Sequence, residues 1–332
     1  MTSLEQATAD APPAPQSEHV LWAPLSRRFR AMNTDVLIVG RADSAVALRA
    51  IEALFHTCEA QFSRFRRDSE LARFNARTTA RVDVSVQMLE MIRLAQAFHR
   101  RTGGLFDPAV LPHLEAAGYD RSFERVAWNG DAPVAPRATW GSVADVALDE
   151  TRRACVAPIG LRLDFGGIGK GFAIDRAARR LAPTRDYLID AGGDVFASGD
   201  GPQGGGWRIG VWDPHGGPDI DVVTLRDQAI GTSSTVSRRW ERGGRWLHHI
   251  IDPRTGEPAQ SRIVSATLIA RTATEADVYA KCALMLGPAE AVAFANTRRT
   301  EGLFVLEDRS LVATGGWPGH RRSSIGLELE GS

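Results

Sequence analysis

The spacing of apolar positions changes period along this chain, and the changes mark its elements. Residues 28–39, RFRAMNTDVLIV, close on a β-branched run and predict an opening strand pair or a strand after a turn. Across 43–61, Val46, Leu48, Ile51, Leu54, Phe55 and Cys58 recur at helical spacing. Ser69 followed by Glu70 predicts a helix start within FSRFRRDSELARFN. A second amphipathic helix is expected over about 85–101, carried by Val86, Leu89, Ile92, Leu94 and Phe98. Short alternating runs rich in turn residues predict hairpins within 120–157.

Residues 161–199 read as a tight unit: a strand LRLDF, a glycine turn, a helix over about 168–181, a strand YLID, then AGGDVFASG. Strands are expected near 207–212, 221–226 and 246–251. A strand at 263–270 leads into a helix at 274–286, a short helix from 288 and a closing strand at 302–306. Strands and helices mix without a strict βαβ rhythm, which predicts an α+β fold rather than a doubly wound sheet.

Composition narrows the function classes. A chain of 332 residues that is 43% hydrophobic can bury a large core. Its 40 basic and 40 acidic residues cancel, so no electrostatic footprint for nucleic acid or anionic lipid is present. Cys58, Cys155 and Cys282 are too few and scattered for a disulfide framework or zinc knuckle and are expected as core residues. No apolar run reaches the roughly 18 residues of a membrane span. The start, MTSLEQATADAPPAPQSEH, has no basic and apolar signal pattern and reads as a disordered leader over 1–24 before one domain at 25–325. That predicts a cytoplasmic protein, or a periplasmic one if an export signal precedes a misassigned start. Only two of the 40 basic residues are lysines, Lys170 and Lys281. A compact ammonium persists where a planar guanidinium cannot replace it.

Both lysines fall in segments with chemical character. In LDFGGIGKGFAID, residues 163–175, Gly166, Gly167, Gly169 and Gly171 open a helix whose N-terminus favours an anion, with Lys170 beside it. Neither the Walker nor the Rossmann spacing is met, and a purely steric strand–helix turn is the bland alternative. In IDAGGDVFASG, Asp190 and Asp194 flank a glycine pair, a pattern that by itself is more often a turn than a site. TGGLFDPAV sets Asp107 in a loop before a proline. AIGTSSTVSRRW supplies the hydroxyls of Thr232, Ser233, Ser234 and Thr235 ahead of Arg238 and Arg239. His248 and His249 would face opposite sides of a strand, so one of them can line a site. Asp277 and Lys281 share one face of a helix that is apolar nearly all round, which predicts a buried pair with a function rather than an exposed ion pair.

Taken in order, AMNTDV (31–36), FSRFRRDSELARFN (62–75), GGLFDPAV (103–110), LDFGGIGKGFAID, AGGDVFASG (191–199), GTSST (231–235), HHIIDPRTG (248–256) and EADVYAKCALMLG (275–287) resemble the ApbE family of flavin transferases, which move FMN from FAD onto a threonine or serine of another flavoprotein. The resemblance spans about 28–315. It implies a T-fold-like α+β architecture with mixed sheets and packed helices in two closely joined lobes, acting as a monomer or homodimer. It implies FAD as substrate, an acceptor flavoprotein as partner, and AMP as product. Met32 and Thr34 would pack on the flavin, while Leu105, Phe106 and Asp107 would hold FAD, the carboxylate meeting adenine or ribose. Gly166 and Phe172 match further FAD contacts, Lys170 would sit near the diphosphate, and His249 and Ile251 would lie beside the flavin. Gly169 and Ala280 match magnesium-binding carbonyls, and Asp277 the magnesium carboxylate.

Two positions depart from the family pattern. Lys281 stands where a threonine usually ligates the metal, and Thr232-Ser233-Ser234 replaces the common T-S-G. A protonated lysine has no lone pair for a cation. Three readings follow: Lys281 takes the metal's place, magnesium shifts toward the phosphates, or only FAD binding remains. On the transferase reading Lys170 and Lys281 stabilise developing charge and Asp277 orients or deprotonates the attacking hydroxyl. A flavin-binding module without transfer, or slow FAD hydrolysis, are the rival functions.

Overall fold

In a computed structural model of the chain, residues 22–41, 45–123, 126 and 141–319 are described. Of the expected leader, residues 1–21 lie outside them, as does most of 124–140 in the region expected to form hairpins. Trp22 is already docked, edge-on to Trp207 with ring centroids 6.2 Å apart.

The opening segment is a hairpin, β1 (Pro24–Ala31) and β2 (Thr34–Arg41), with Met32 and Asn33 both at positive φ in its two-residue turn. α1 (Ala45–Phe62) buries the stripe that its periodicity marks, Leu48, Ile51, Phe55 and Cys58. α2 (Glu70–Asn75) and α3 (Val86–Arg101) each begin at a serine, Ser69 and Ser85, whose hydroxyl accepts a backbone N–H of the first turn. Between them runs β3 (Arg81–Asp83), and α4 (Leu111–Ala116) follows the Asp107 loop. β4 (Ala147–Asp149) and β5 (Ala154–Val156) are the hairpin seen within 120–157, and β5 also pairs with β3.

α5 (Gly169–Leu181) is followed by a second tight hairpin, β6 (Tyr187–Ala191) and β7 (Asp194–Ser198), turning through Gly192 and Gly193 at positive φ. Next come β8 (Trp207–Val211), β9 (Asp221–Leu225), β10 (Gln228–Ser234), β11 (Arg239–Arg242) and β12 (Arg245–His248). The chain then runs through β13 (Ile263–Ala270), α6 (Ala273–Leu284), α7 (Pro288–Thr297), β14 (Glu301–Leu306) and β15 (Leu311–Ala313).

Eight strands form one sheet in the order β1-β2-β6-β7-β10-β13-β14-β15. The sheets expected to be mixed are antiparallel at every described pair, since hairpins and returning connections replace βαβ crossovers. α1, α5 and α6 pack on one face; the β8–β9 hairpin covers the other through Trp207, Val211, Val223 and Leu225. Covered on both faces, β13 is buried at every position. The two expected lobes are joined through a continuous core that includes both α3 and the main sheet. No described helix is long and apolar enough to cross a membrane.

Residues 161–165 correct the expectation of a strand: LRLDF is extended but unpaired with any strand. Its backbone is satisfied partly by neighbouring loop backbone, Leu161 N to Pro158 O at 3.1 Å and Asp164 N to Pro108 O at 2.8 Å, and partly by side chains. Asn75 donates to Leu163 O and accepts from Leu163 N, both at 2.8 Å, and Arg77 donates to Leu161 O at 2.8 Å. An asparagine amide sets an N–H donor beside a carbonyl acceptor, so it copies the edge of a strand.

Candidate active site

The two tight turns at one end of the sheet set the site. Val36 of β2 pairs with Ala191 of β6, which brings the Met32–Asn33 turn beside Gly192–Gly193. A Cβ on Gly192 would stand 2.1 Å from Thr34 Oγ1, so the turns can meet only with glycine there. Met32 reaches forward until its Cε lies 3.3 Å from where a Gly169 Cβ would be. Gly169 opens α5, whose cap residue Ile168 supplies no side-chain hydrogen bond. Gly169 N and Gly171 N of its first turn are already bonded, to Phe165 O at 2.7 Å and Asp277 Oδ2 at 3.4 Å, which leaves the Lys170 N–H at the rim of a cavity of about 290 Å³.

Ten of the expected residues line that cavity: Met32, Leu105, Phe106, Asp107, Gly166, Gly169, Lys170, His249, Ile251 and Lys281. Four do not. Thr34 is spent on the turn contact. Phe172 points into the core, edge-on to Phe62 at 5.6 Å. Asp277 and Ala280 lie behind the wall, both buried in α6. The Asp107 carboxylate, expected to meet adenine or ribose, is engaged by protein: it accepts from Ala109 N at 2.9 Å, Val143 N at 3.2 Å and Ser142 Oγ at 2.5 Å. These bonds tie the end of the Leu105–Phe106 loop to residues 142–143.

The hydroxyl run and the adjacent histidines also resolve. Thr232 and Ser234 lie on β10 and turn to their neighbours, Thr232 Oγ1 to Thr267 Oγ1 at 2.9 Å and Ser234 Oγ to Val264 O at 3.1 Å. β12 ends at His248, short of the strand expected to 251, and Ile251 makes only an isolated bridge to Pro258. His248 Nε2 meets Ala259 O at 3.0 Å, fixing the chain, while His249 faces the cavity wall. Burial first, then the Arg238 charge, holds the His249 imidazole well below its ordinary range, so it is neutral at pH 7. Its Nδ1 is buried with no hydrogen-bond partner among the described residues, a position that a bound ligand's polar atom can close.

Sequence reasoning missed several cavity residues. Arg64, its side chain 6% exposed, bonds Asp164 Oδ2 at 2.8 Å and lies over the Phe65 and Tyr119 rings. Asp164 Oδ1 in turn accepts from Gly166 N at 2.6 Å, which fixes the glycine turn. Arg238 lines the cavity without a carboxylate partner among the described residues. Asp194 is nearly sealed, and its carboxylate bonds the Lys170 ammonium and accepts from Thr232 N at 3.3 Å. It was legible only as a turn residue, because its partner lies 24 positions away.

The second lysine is also paired. Lys281 Nζ lies 3.0 Å from Asp277 Oδ1, 3.3 Å from Gly167 O and 3.4 Å from Asp277 O. Asp277 Oδ2 accepts from Gly171 N at 3.4 Å. This donor set does not fit magnesium. The ammonium already uses the one carboxylate, and the carbonyls around it are those of Gly167 and Asp277, not the expected Gly169 and Ala280. A divalent ion about 3 Å from Nζ would meet a repulsion of about 11 kcal/mol at an effective dielectric of about 20. Among the described residues no group of three or more His, Cys, Asp and Glu side chains is arranged to hold a metal.

Residues 32–304 match the model of the ApbE family, a span that contains every element of this site. The chain belongs to the ApbE family. Among curated ApbE relatives, the FAD:protein FMN transferase of Treponema pallidum is 31% identical over 83% of this chain and 81% of its own length. That of Klebsiella pneumoniae is 28% identical over 88% of this chain and 85% of its own. The solved ApbE protein of Thermotoga maritima superposes with a TM-score of 0.79 at 28% identity, over 88% of this chain and 97% of that one. Flavin transferase ApbE from Vibrio cholerae, at 24% identity and a TM-score of 0.75 over 89% of this chain and 98% of that one, shares the fold.

Proposed function

We propose that this protein is an FAD:protein FMN transferase, joining FMN from FAD through a phosphoester to a threonine or serine of an acceptor flavoprotein and releasing AMP. The observation that carries the reading is the convergence of both lysines of the chain, Arg238 and the uncapped start of α5 on one apolar-walled cavity. That is a site for a dinucleotide: positive charge at a helix N-terminus for a diphosphate, and Met32, Leu105, Phe106 and Ile251 for ring systems.

The acceptor oxygen forms a bond to the FMN phosphorus while the bond from that phosphorus to the bridging oxygen breaks, and AMP leaves with the electron pair. Little covalent chemistry is asked of the protein, so positioning and charge neutralisation supply most of the acceleration. Together with Arg238, Lys170 holds the diphosphate in line through its ammonium and its backbone N–H, and Lys281 faces the same space. Asp277, sealed behind Lys281, orients that ammonium rather than meeting the hydroxyl. The hydroxyl's proton passes to the departing AMP phosphate or to solvent, while neutral His249 meets FAD through the Nδ1 that no described protein group satisfies. The Arg64–Asp164–Gly166 relay keeps the glycine turn rigid.

Intact-mass spectrometry of an acceptor flavoprotein domain incubated with this protein and FAD tests the reading. The expected result is a gain equal to one FMN, with AMP released in equal amount. Tight FAD binding with unchanged acceptor mass for several acceptors would leave a flavin-binding protein, and AMP release without acceptor would make it a hydrolase.

A further inference from the structure

We infer that the Lys281 ammonium is the resident cation of this active site and that flavin transfer here needs no divalent metal. The inference rests on the transferase reading for its catalytic half and on geometry alone for its binding half.

Lys281 Nζ sits among three oxygens, Gly167 O, Asp277 O and Asp277 Oδ1, at 3.3, 3.4 and 3.0 Å. Two carbonyls and a carboxylate are the ligands a hard cation takes, and an ammonium has three protons to give them. The fit extends down the side chain. A Cβ on Gly167 would lie 3.1 Å from Lys281 Cε and 3.2 Å from Cδ, so the lysine stem fills the space that this glycine leaves. Asp277 is 3% exposed and Lys281 18%, so the pair is not a solvated helix-face ion pair. The ammonium nonetheless borders the cavity, where Lys170 and Arg238 lie.

Composition supports the same conclusion independently. The chain uses 38 arginines and two lysines, and both lysines stand at this cavity, each on a buried aspartate. A guanidinium is too broad and flat for a three-oxygen cage built around a point charge, and so the general preference for arginine stops here. The charge that a metal would bring to the FAD diphosphate is carried by a side chain fixed in the fold. In the transfer step it is neither consumed nor altered. It neutralises charge on the phosphoryl oxygens while the acceptor oxygen bonds to phosphorus and AMP departs.

The test pairs transfer with metal binding. Wild-type protein, FAD and an acceptor domain are incubated in EDTA or in excess Mg²⁺ and read by intact mass; Mn²⁺ alone is titrated into wild type, Lys281→Ala and Lys281→Ala/Asp277→Asn and followed by electron paramagnetic resonance. Expected are equal transfer in both wild-type arms and no Mn²⁺ immobilised. Lys281→Ala should lose about 100-fold or more in EDTA, recover in Mg²⁺, and bind Mn²⁺ in a way that Asp277→Asn abolishes. Lys281→Arg, which keeps charge but not shape, should stay impaired in both arms. The inference is overturned if EDTA stops wild-type transfer, or if wild type immobilises Mn²⁺ through Asp277. Equal loss of transfer and FAD binding in Lys281→Ala, without Mn²⁺ binding, would also overturn it and make the lysine structural. Wild type that transfers in neither arm yet leaves Mn²⁺ free would sink the transferase reading and uphold the ammonium in the metal's place.

Discussion

Lys170 and Asp194 meet across the seam between α5 and the β6–β7 hairpin, an ammonium 20% exposed against a carboxylate 1% exposed. The tight Gly192–Gly193 turn sets the start of β7, and thereby puts this carboxylate under the first turn of α5. The pair couples the sheet to the cavity, because Lys170 borders the cavity and Asp194 does not.

Removing the buried anion should be costly. Asp194→Asn leaves Lys170 charged without its partner, and a broken buried pair typically destabilises by about 3–5 kcal/mol. A bound diphosphate can replace the lost anion, so FAD should restore more thermal stability to Asp194→Asn than it adds to wild type. Melting temperatures with and without FAD check this; equal FAD shifts in both proteins would show that Lys170 does not meet the ligand.

Acid titration should expose two opposed groups. Burial, with the Arg238 charge behind it, depresses the His249 pKa well below 6.5. As pH falls below about 6.5 the unfolded chain gains a proton there that the folded protein refuses, so His249 removes stability. Burial pushes Asp194 up to about 6 against the pull of Lys170. The folded state therefore takes up that proton before the unfolded chain does, and Asp194 adds stability as pH falls from about 6 toward the ordinary carboxylate range near 4. Urea denaturation of His249→Gln at about pH 7.5 and about pH 5.5 should show a smaller acid loss than wild type. Parallel curves would mean that His249 titrates normally in the folded protein.

Glycine 171 holds two helices together. A Cβ there would stand 2.6 Å from Thr274 Cα and 2.7 Å from Ala273 O, both backbone of α6, which cannot swing aside as a side chain can. Gly171→Ala should destabilise by about 1–3 kcal/mol through overpacking. It should also weaken transfer, since the same residue's N–H meets Asp277 and α6 carries Lys281. Chemical denaturation and transfer assays should fall together, whereas Gly193→Ala, with no atom within 4 Å of the added Cβ, carries only its turn strain.

The extended 161–165 segment depends on Asn75. Asn75→Ala leaves the Leu163 N–H and C=O without partners in a buried setting, at about 1–3 kcal/mol for each unsatisfied group. Because Asp164 and the glycine turn follow directly, FAD affinity should fall with stability. A variant that loses stability but binds FAD as wild type does would show that the turn holds its shape through Arg64 alone.

Short intervals along the chain encode the elements and the contacts within them. Helical spacing marked α1 and α3, Ser69 marked the start of α2, and the four-residue interval of Asp277 and Lys281 placed the pair on one helix face, where it stands. Eight motifs in order carry the resemblance to the ApbE family. Tertiary structure alone decided which side chains meet across elements. It gave Lys170 the partner Asp194, turned Phe172 into the core, sealed Asp277 behind Lys281 and folded the β10 hydroxyls inward. It also denied LRLDF a strand partner, because a side chain 88 positions away satisfies its backbone first. The reason is geometric: an interval within one helix or turn is fixed by the repeat of that element, whereas a contact between elements depends on strand register and helix packing, which the whole core sets together.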